Sequence, residues 1–397
     1  FISHDISAVK ALCQRTLWLD HGQVRAIGPT AEVTRDYDHD WIRQANAAQA
    51  LAAWQQGRAA GAQMVALTEM FITGYQTQDL VLKPAFVAHA MRAVQALAEK
   101  ITDGPALGVG APCLRDGALY NAYYVLQDGK IAATVLKHEL PNSDVFDEKR
   151  VFTSAPPQGP CRVGPLRIGI PICEDAWHAE VCETLAETGA QILLVPNGSP
   201  YHRGKPEVRT NLMVYRVVDT GLPLVYLNMI GGQDDQVFDG ASFVLNPGGA
   251  LAAQLPQFDA CITHIDFAET PEGWRALPGM MALLPHSYEA DYRAMVLSLK
   301  DYLGKTGFKK VLLGLSGGID SAIVATIAAD AIGPENVRCV MLPSAYTSQH
   351  SLDDAAQVAH ALGCRLDTVP ISGPQAAVGE ALAPLFQGTK PDVTEEN

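Results

Sequence analysis

The sequence predicts an α/β protein with two domains: a mixed sheet covered by helices, followed by the start of a doubly wound parallel sheet. Three observations predict it. At 397 residues the chain is too long for one ordinary core. Apolar strand-like runs alternate with helical stretches along most of it. A Pro- and Gly-rich stretch without periodicity, 267–286, separates a first series that contains hairpins from a second, cleaner βαβα series, and reads as an interdomain linker.

Residues 1–40 open with a short strand-like piece and a helix, then an apolar stretch at Thr16–Leu19 and the turn Asp20-His21-Gly22. An Ala-rich helix at 44–60 leads into the strand Gln63–Thr68, and a second helix covers 84–101. Strands with a hairpin turn at Asp128-Gly129 follow. The strand Leu166–Ile172 runs straight into Cys173. Helix 177–188, strand Gln191–Val195, helix 206–220 and strand Leu224–Asn228 come next, and strands around Asn246-Pro247-Gly248-Gly249 close the first domain at 266. The second domain, 287–397, reads as helix 287–304, strand Lys310–Leu315, a Gly-rich turn and helix 319–332. Strand Arg338–Leu342, helix 350–362, strand Arg365–Pro370 and helix 374–386 complete it.

Hydrophobic residues make up 48% of the chain and charged ones 18%, the balance of a soluble globular protein. A formal charge of −14 without a basic block excludes nucleic-acid and membrane-surface binding as primary functions. No apolar run approaches the ~20 residues needed to span a bilayer. The eight cysteines include no CxxC pair and suggest neither a zinc site nor a disulfide framework, so reduced thiols and a cytoplasmic location are expected. The chain opens with Phe and stops in mid-pattern at Asn397, so both ends read as cuts.

Two sets of residues carry chemistry. The string Leu315-Ser316-Gly317-Gly318-Ile319-Asp320-Ser321 lies between a buried strand and a helix, at the strand end where open α/β sheets bind ligands. Adjacent glycines let backbone amides approach a phosphate, the helix N-terminus favours negative charge, and the hydroxyls donate. Asp320 is the residue to hold a Mg²⁺ ion against the phosphates. The second set is Glu69, Lys137 and Cys173, each closing a predicted strand. A thiol needs a base near neutral pH, which Glu69 supplies. An ammonium such as Lys137 steadies the oxyanion of acyl transfer.

The Gly-rich string resembles the pyrophosphate-binding loop of the ATP pyrophosphatase superfamily. Met341-Leu342-Pro343-Ser344, Tyr346-Thr347-Ser348, Ser351-Leu352-Asp353-Asp354-Ala355 and Pro391–Asn397 resemble NAD synthetases within it. The Glu–Lys–Cys order is similar to that of the nitrilase superfamily. The strings Glu69–Tyr75, Leu140-Pro141-Asn142, Val145–Phe152, Cys173–Trp177, Asn197–Pro200 and Gly231–Gly240 resemble the glutaminase domain of glutamine-dependent NAD⁺ synthetases. Together the resemblances cover 44–397.

They imply a nitrilase-like α-β-β-α sandwich followed by a truncated synthetase domain, and a ligase that makes NAD⁺ from deamido-NAD⁺ with ATP and glutamine-derived ammonia. Cys173 would be the nucleophile, Glu69 the base and Lys137 the oxyanion partner, with Tyr75, Glu148 and Ser199 holding glutamine. Ser316, Gly317, Gly318, Ile319, Asp320, Ser321 and Met341 would bind ATP, with Mg²⁺ on Asp320. No prosthetic group and a homo-oligomer are implied. Ser143 stands where the family often has Tyr, which leaves part of the glutamine contact open.

Residues 1–37 depart from this pattern. His4 and the stretch Leu17–Tyr37 resemble the C-terminal end of a polysaccharide-export ABC-transporter ATPase, without Walker or signature motifs. A joined segment is expected there, meeting the rest between Tyr37 and Gln44 and leaving the sandwich without its first strand. The rival readings are a stand-alone amidase with an inactive synthetase part, another amidotransferase with the same phosphate loop, and an exporter ATPase fragment.

Overall fold

The computed structural model describes residues 13–20, 23–385 and 388. They form two compact units. One holds the described residues up to Ile230 together with Phe238–Leu284; the other holds Gly231–Val237 and the described residues from Pro285 onward.

The first unit contains two principal sheets. In the four-stranded sheet the order is Met64–Ala66, Ala106–Arg115, Ala118–Gln127, Lys130–Leu136. Its first pair is parallel and the others are antiparallel. The predicted turn at Asp128-Gly129 is present, with both residues at positive φ (54° and 74°), the backbone that suits a two-residue hairpin. The six-stranded sheet runs Ala250–Gln254, Phe243–Asn246, Leu224–Asn228, Ile192–Asn197, Leu166–Gly169, Cys161–Val163.

Between the sheets, Tyr123, Val125 and Val135 pack with Ile168, Ile170, Ile172 and Leu194. The outer face of the four-stranded sheet is covered by helices Thr30–Ala59 and Pro84–Ala98. Helices Ala179–Glu187 and Lys205–Thr220 cover the other. This is the expected α-β-β-α sandwich. It explains why these strands read as continuous apolar runs: residues on both faces are buried, so alternation has nothing to report.

Residues 37–44, where the joined segment is expected to meet the rest, lie inside one continuous helix, Thr30–Ala59. One expectation is corrected. The stretch 267–286, expected as a linker, contains the hairpin Phe267–Thr270 and Gly273–Ala276. Ala276 is buried in a small core with Val244 and Ala253. Further along, the Gln254 N–H donates to the Met280 carbonyl at 2.8 Å, so the chain stays docked on the first unit. Here Gly and Pro mark turns beside a sheet edge rather than a free linker.

The second unit carries the predicted parallel sheet, Val311–Gly314, Val337–Met341, Arg365–Thr368 in that order. Helices Ile319–Ile332 and Gln349–Leu362 pack on it through Ala325, Ala328, Ala355 and Ala359 around Leu315 and Cys339. The family-like strings at 1–12 and 391–397, His4 among them, lie outside the described residues. No helix among the described residues is long and apolar enough to cross a membrane.

Candidate active site

Glu69 follows the strand Met64–Ala66, and backbone geometry fixes it there. The Gly110 N–H donates to the Thr68 carbonyl at 3.2 Å, and the Ile72 N–H to the Gly110 carbonyl at 3.1 Å. That approach is open only to glycine: a Cβ on Gly110 would sit 2.2 Å from the Met70 nitrogen. Lys137 follows the strand Lys130–Leu136, its N–H donating to the Asn121 carbonyl at 2.9 Å. Cys173 begins a short helical turn, Cys173–Ala176. Both Met70 and Cys173 hold φ at 49°, the left-handed region that costs a non-glycine residue about 1–3 kcal/mol, as functional sites often do.

These three residues meet between the sheets with almost no exposure. Lys137 Nζ donates to Glu69 Oε1 at 2.8 Å. It also forms a close ion pair with Glu148 Oε2 at 2.9 Å. Asn121 Nδ2 bridges the two carboxylates, at 2.8 Å from Glu69 Oε1 and 3.0 Å from Glu148 Oε1. The Gly198 N–H donates to Glu69 Oε2 at 2.7 Å. The Tyr75 hydroxyl donates to Glu148 Oε1 at 2.9 Å. A side chain on Gly198 would strike the Tyr75 ring at 2.7 Å, so this glycine too is a fitted position.

Burial by itself would lower the Lys137 pKa, but Glu148 and Glu69 outweigh it and hold the ammonium charged, well above its usual range. Burial pushes the Cys173 thiol well above its ordinary value, with Glu69 adding to the rise and Lys137 opposing it. The resting thiol is therefore protonated, and a base must take its proton as it reacts. Burial raises Glu148 as well, against the pull of Lys137.

Of the residues expected to hold glutamine, Tyr75 and Glu148 sit inside this network. Ser199 lies one residue beyond Gly198, and its Oγ accepts from Arg209 Nε at 3.1 Å. Asn121, Gly110, Gly198, Asp175 and Arg209 were given no role by the sequence. A signal existed for two of them. Asn121 is a polar residue inside an apolar strand, and Arg209 shares the buried helix face of Met213 and Val217.

In the second unit the Gly-rich loop folds on its own hydroxyls. Ser321 Oγ donates to the Gly318 carbonyl at 2.9 Å and accepts from the Ser316 N–H at 3.2 Å. Gly317 has φ of 85°, and a Cβ there would meet the Ser351 carbonyl at 2.2 Å. Ser316, Gly318, Ile319 and Asp320 are exposed at the start of the helix Ile319–Ile332. Met341 differs: its side chain is buried in the core beside Leu315 and Cys339. An exposed carboxylate beside a loop of hydroxyls and amides is a donor set that suits Mg²⁺ with a phosphate. Among the described residues, His138, Glu139 and Glu180 also place ligand atoms within 4.8 Å of one another. None of these three belongs to the Glu69–Lys137–Cys173 set.

A thiol, a carboxylate and an ammonium at adjoining strand ends of an α-β-β-α sandwich define a carbon–nitrogen hydrolase unit, joined here to a phosphate-loop unit. The family model for carbon-nitrogen hydrolase matches residues 26–274, and that for NAD synthase matches 291–397. The glutamine-dependent NAD(+) synthetase of Rhodobacter capsulatus is 61% identical over 353 residues, 89% of this chain and 64% of that protein. That of Xanthomonas campestris pv. campestris (strain 8004) is 43% identical, over 85% of this chain and 61% of that protein. A solved structure of glutamine-dependent NAD+ synthetase from Acinetobacter baumannii, in complex with adenosine diphosphate, matches with a TM-score of 0.85 at 33% identity. The match covers 90% of this chain and 68% of that one. The chain belongs to the glutamine-dependent NAD⁺ synthetase family. It spans less than two thirds of the length of the two relatives.

Proposed function

We propose that this chain carries the glutamine-hydrolysing unit and part of the ATP-using unit of an enzyme that amidates deamido-NAD⁺ to NAD⁺. The observation that supports it most is the buried array of Glu69, Lys137 and Glu148 beside Cys173. Cys173 Sγ attacks the side-chain amide carbon of glutamine while Glu69 takes the thiol proton. The Lys137 ammonium stabilises the oxyanion. The C–N bond breaks, the proton held by Glu69 passes to nitrogen, and ammonia leaves. Water, deprotonated by Glu69, then cleaves the thioester to give glutamate and restore the thiol.

Glu148 is occupied with Lys137 and Tyr75, so its part is to keep the ammonium charged and aimed; glutamine contacts from Tyr75, Glu148 and Ser199 belong to the proposal. In the second unit the loop Ser316–Ser321 would receive the phosphates of ATP, with Asp320 holding Mg²⁺, which supplies charge neutralisation there. Met341, at the end of the neighbouring strand Val337–Met341, belongs to the same proposal. A cytoplasmic location and a homo-oligomeric state complete the reading, the former supported by eight free cysteines.

A single incubation with glutamine, ATP-Mg²⁺ and deamido-NAD⁺ tests it, following glutamate and NAD⁺ separately with Cys173→Ala as control. Glutamate that disappears in the control supports the triad. The second reading, an amidase whose synthetase part is inactive, wins if glutamate forms without NAD⁺. Absence of both products would sink the assignment for this chain.

A further inference from the structure

Asp175 lies two residues beyond Cys173, buried at 2% exposure, and its carboxylate touches none of the reacting groups. Oδ1 accepts the backbone N–H of His138 at 3.0 Å and of Glu139 at 2.6 Å, the two residues that follow Lys137. Oδ2 accepts the backbone N–H of Ile172 at 2.9 Å, the residue before Cys173. One carboxylate thus ties the end of the lysine strand to the start of the cysteine turn. The two segments come from different sheets and have a sequence gap of more than thirty residues, and Cys173, at the start of the turn it secures, holds a left-handed φ of 49°.

The geometry points to Asp175 as a positioning residue for the thiol-dependent reaction: its ionised carboxylate holds Lys137 and Cys173 in register. This inference rests on the glutaminase reading proposed above. Only the carboxylate offers acceptors on both oxygens; an amide in its place would turn an NH₂ group toward a backbone N–H.

The charge state gives the role its own signature. Burial raises the Asp175 carboxyl to about 6, against the lowering effect of the bonds from Glu139, Ile172 and His138 and of the Lys137 charge. The titratable groups around it are Lys137, His138 and Glu139 on the strand end, Cys173 and Glu174 on its own turn, and Cys182 on the following helix. Because the folded pKa lies above the unfolded one, between about pH 4 and 6 the folded chain keeps a proton that the unfolded chain has lost. On this group's account, stability therefore rises as pH falls. Activity moves the opposite way, since protonation spoils one side of the clamp. Loss of glutaminase activity below about pH 6 without unfolding is the expected behaviour of the unaltered chain.

The experiment measures glutamate release by the full chain from pH 5 to 8 for wild type, Asp175→Asn and Cys173→Ala. For Asp175→Asn the expected result is kcat about 100-fold lower, as for a misplacement of about 1 Å, with KM for glutamine within about threefold and the acid limb near pH 6 gone. An Asp175→Asn chain with wild-type kcat, or one that keeps the limb, overturns the inference while leaving the glutaminase reading intact. A wild-type chain no better than Cys173→Ala removes the reading itself. If the variant does not fold, hydrogen exchange on the wild type decides. The amides of His138, Glu139 and Ile172 should lose protection together as pH falls through 6, and undiminished protection refutes the clamp.

Discussion

Glu69 and Lys137 are fully buried, and both oxygens of Glu69 are engaged by named donors, whereas Ser316, Gly318 and Asp320 stand exposed on a loop bonded to itself. On the proposed roles, the difference follows from what each would handle. A thiol, an ammonium and two carboxylates gain reactivity from a dry surrounding, where electrostatics are strong and unpaired charge is costly. A phosphate chain is recognised by amides and hydroxyls that are otherwise content in water. Stability and chemistry are therefore coupled in the first unit and separable in the second.

The largest expected effect comes from breaking the buried set. Lys137→Met leaves Glu69 and Glu148 facing each other without a cation. Thermal or urea unfolding should show a loss of about 3–5 kcal/mol, the range for breaking a buried pair, and glutaminase activity should be abolished. A variant as stable as wild type would mean the carboxylates are not held as described.

Arg209→Met should cost nearly as much. Arg209 Nη1 donates to Asp239 Oδ1 at 2.8 Å, and Nη2 to the carbonyls of Ser199 and Pro200, both at 2.8 Å. Those contacts hold the loop whose Gly198 N–H reaches Glu69. Unfolding of Arg209→Met should show about 3–5 kcal/mol lost, and Arg209→Met with Asp239→Leu should recover part of the stability but little activity. Recovery of both would show that the loop does not need the arginine.

Gly110→Ala sharpens the contrast within the first unit, since its methyl group drives against the Met70 backbone and shifts Glu69. Glutamate release should fall about 100-fold if the shift approaches 1 Å. In the second unit, Gly317→Ala meets the Ser351 carbonyl and an unsuitable φ. ATP binding, read by calorimetry or nucleotide-analogue fluorescence, should be lost while glutaminase activity is unchanged. A fall in both would undo the separation of the two sites. The smallest effect belongs to the surface: Arg58→Gln removes a salt bridge to Asp103 and a guanidinium 5.4 Å from the Trp54 ring. Unfolding should shift by less than about 1 kcal/mol.

The turn of the Gly-rich loop was legible because its residues are contiguous and its strand-to-helix placement follows from local backbone. Met341 shows the limit even there, since only packing reveals that its side chain belongs to the core. Glu69, Lys137 and Cys173 were legible as a set because chain order and strand-end placement survive in sequence. The hairpin at 267–276 was not, because turn residues beside a sheet edge and turn residues in a linker are written alike.

By itself the sequence determined the two-domain α/β class, the elements from Leu224 to Asn228 and from Ile319 to Ile332 at their observed bounds, the reactive trio and the phosphate loop. These rest on periodicity and local chemistry, which are properties of neighbouring residues. Only the tertiary structure decided that Asn121 joins two carboxylates, that Gly110 and Gly198 make room for Glu69, that Asp175 ties the backbone after Lys137 to that before Cys173, and that Arg209 bonds the loop at Ser199 and Pro200. Most of those contacts link residues from about 30 to well over 100 positions apart, and which of many buried polar groups will meet is settled by how two sheets stack.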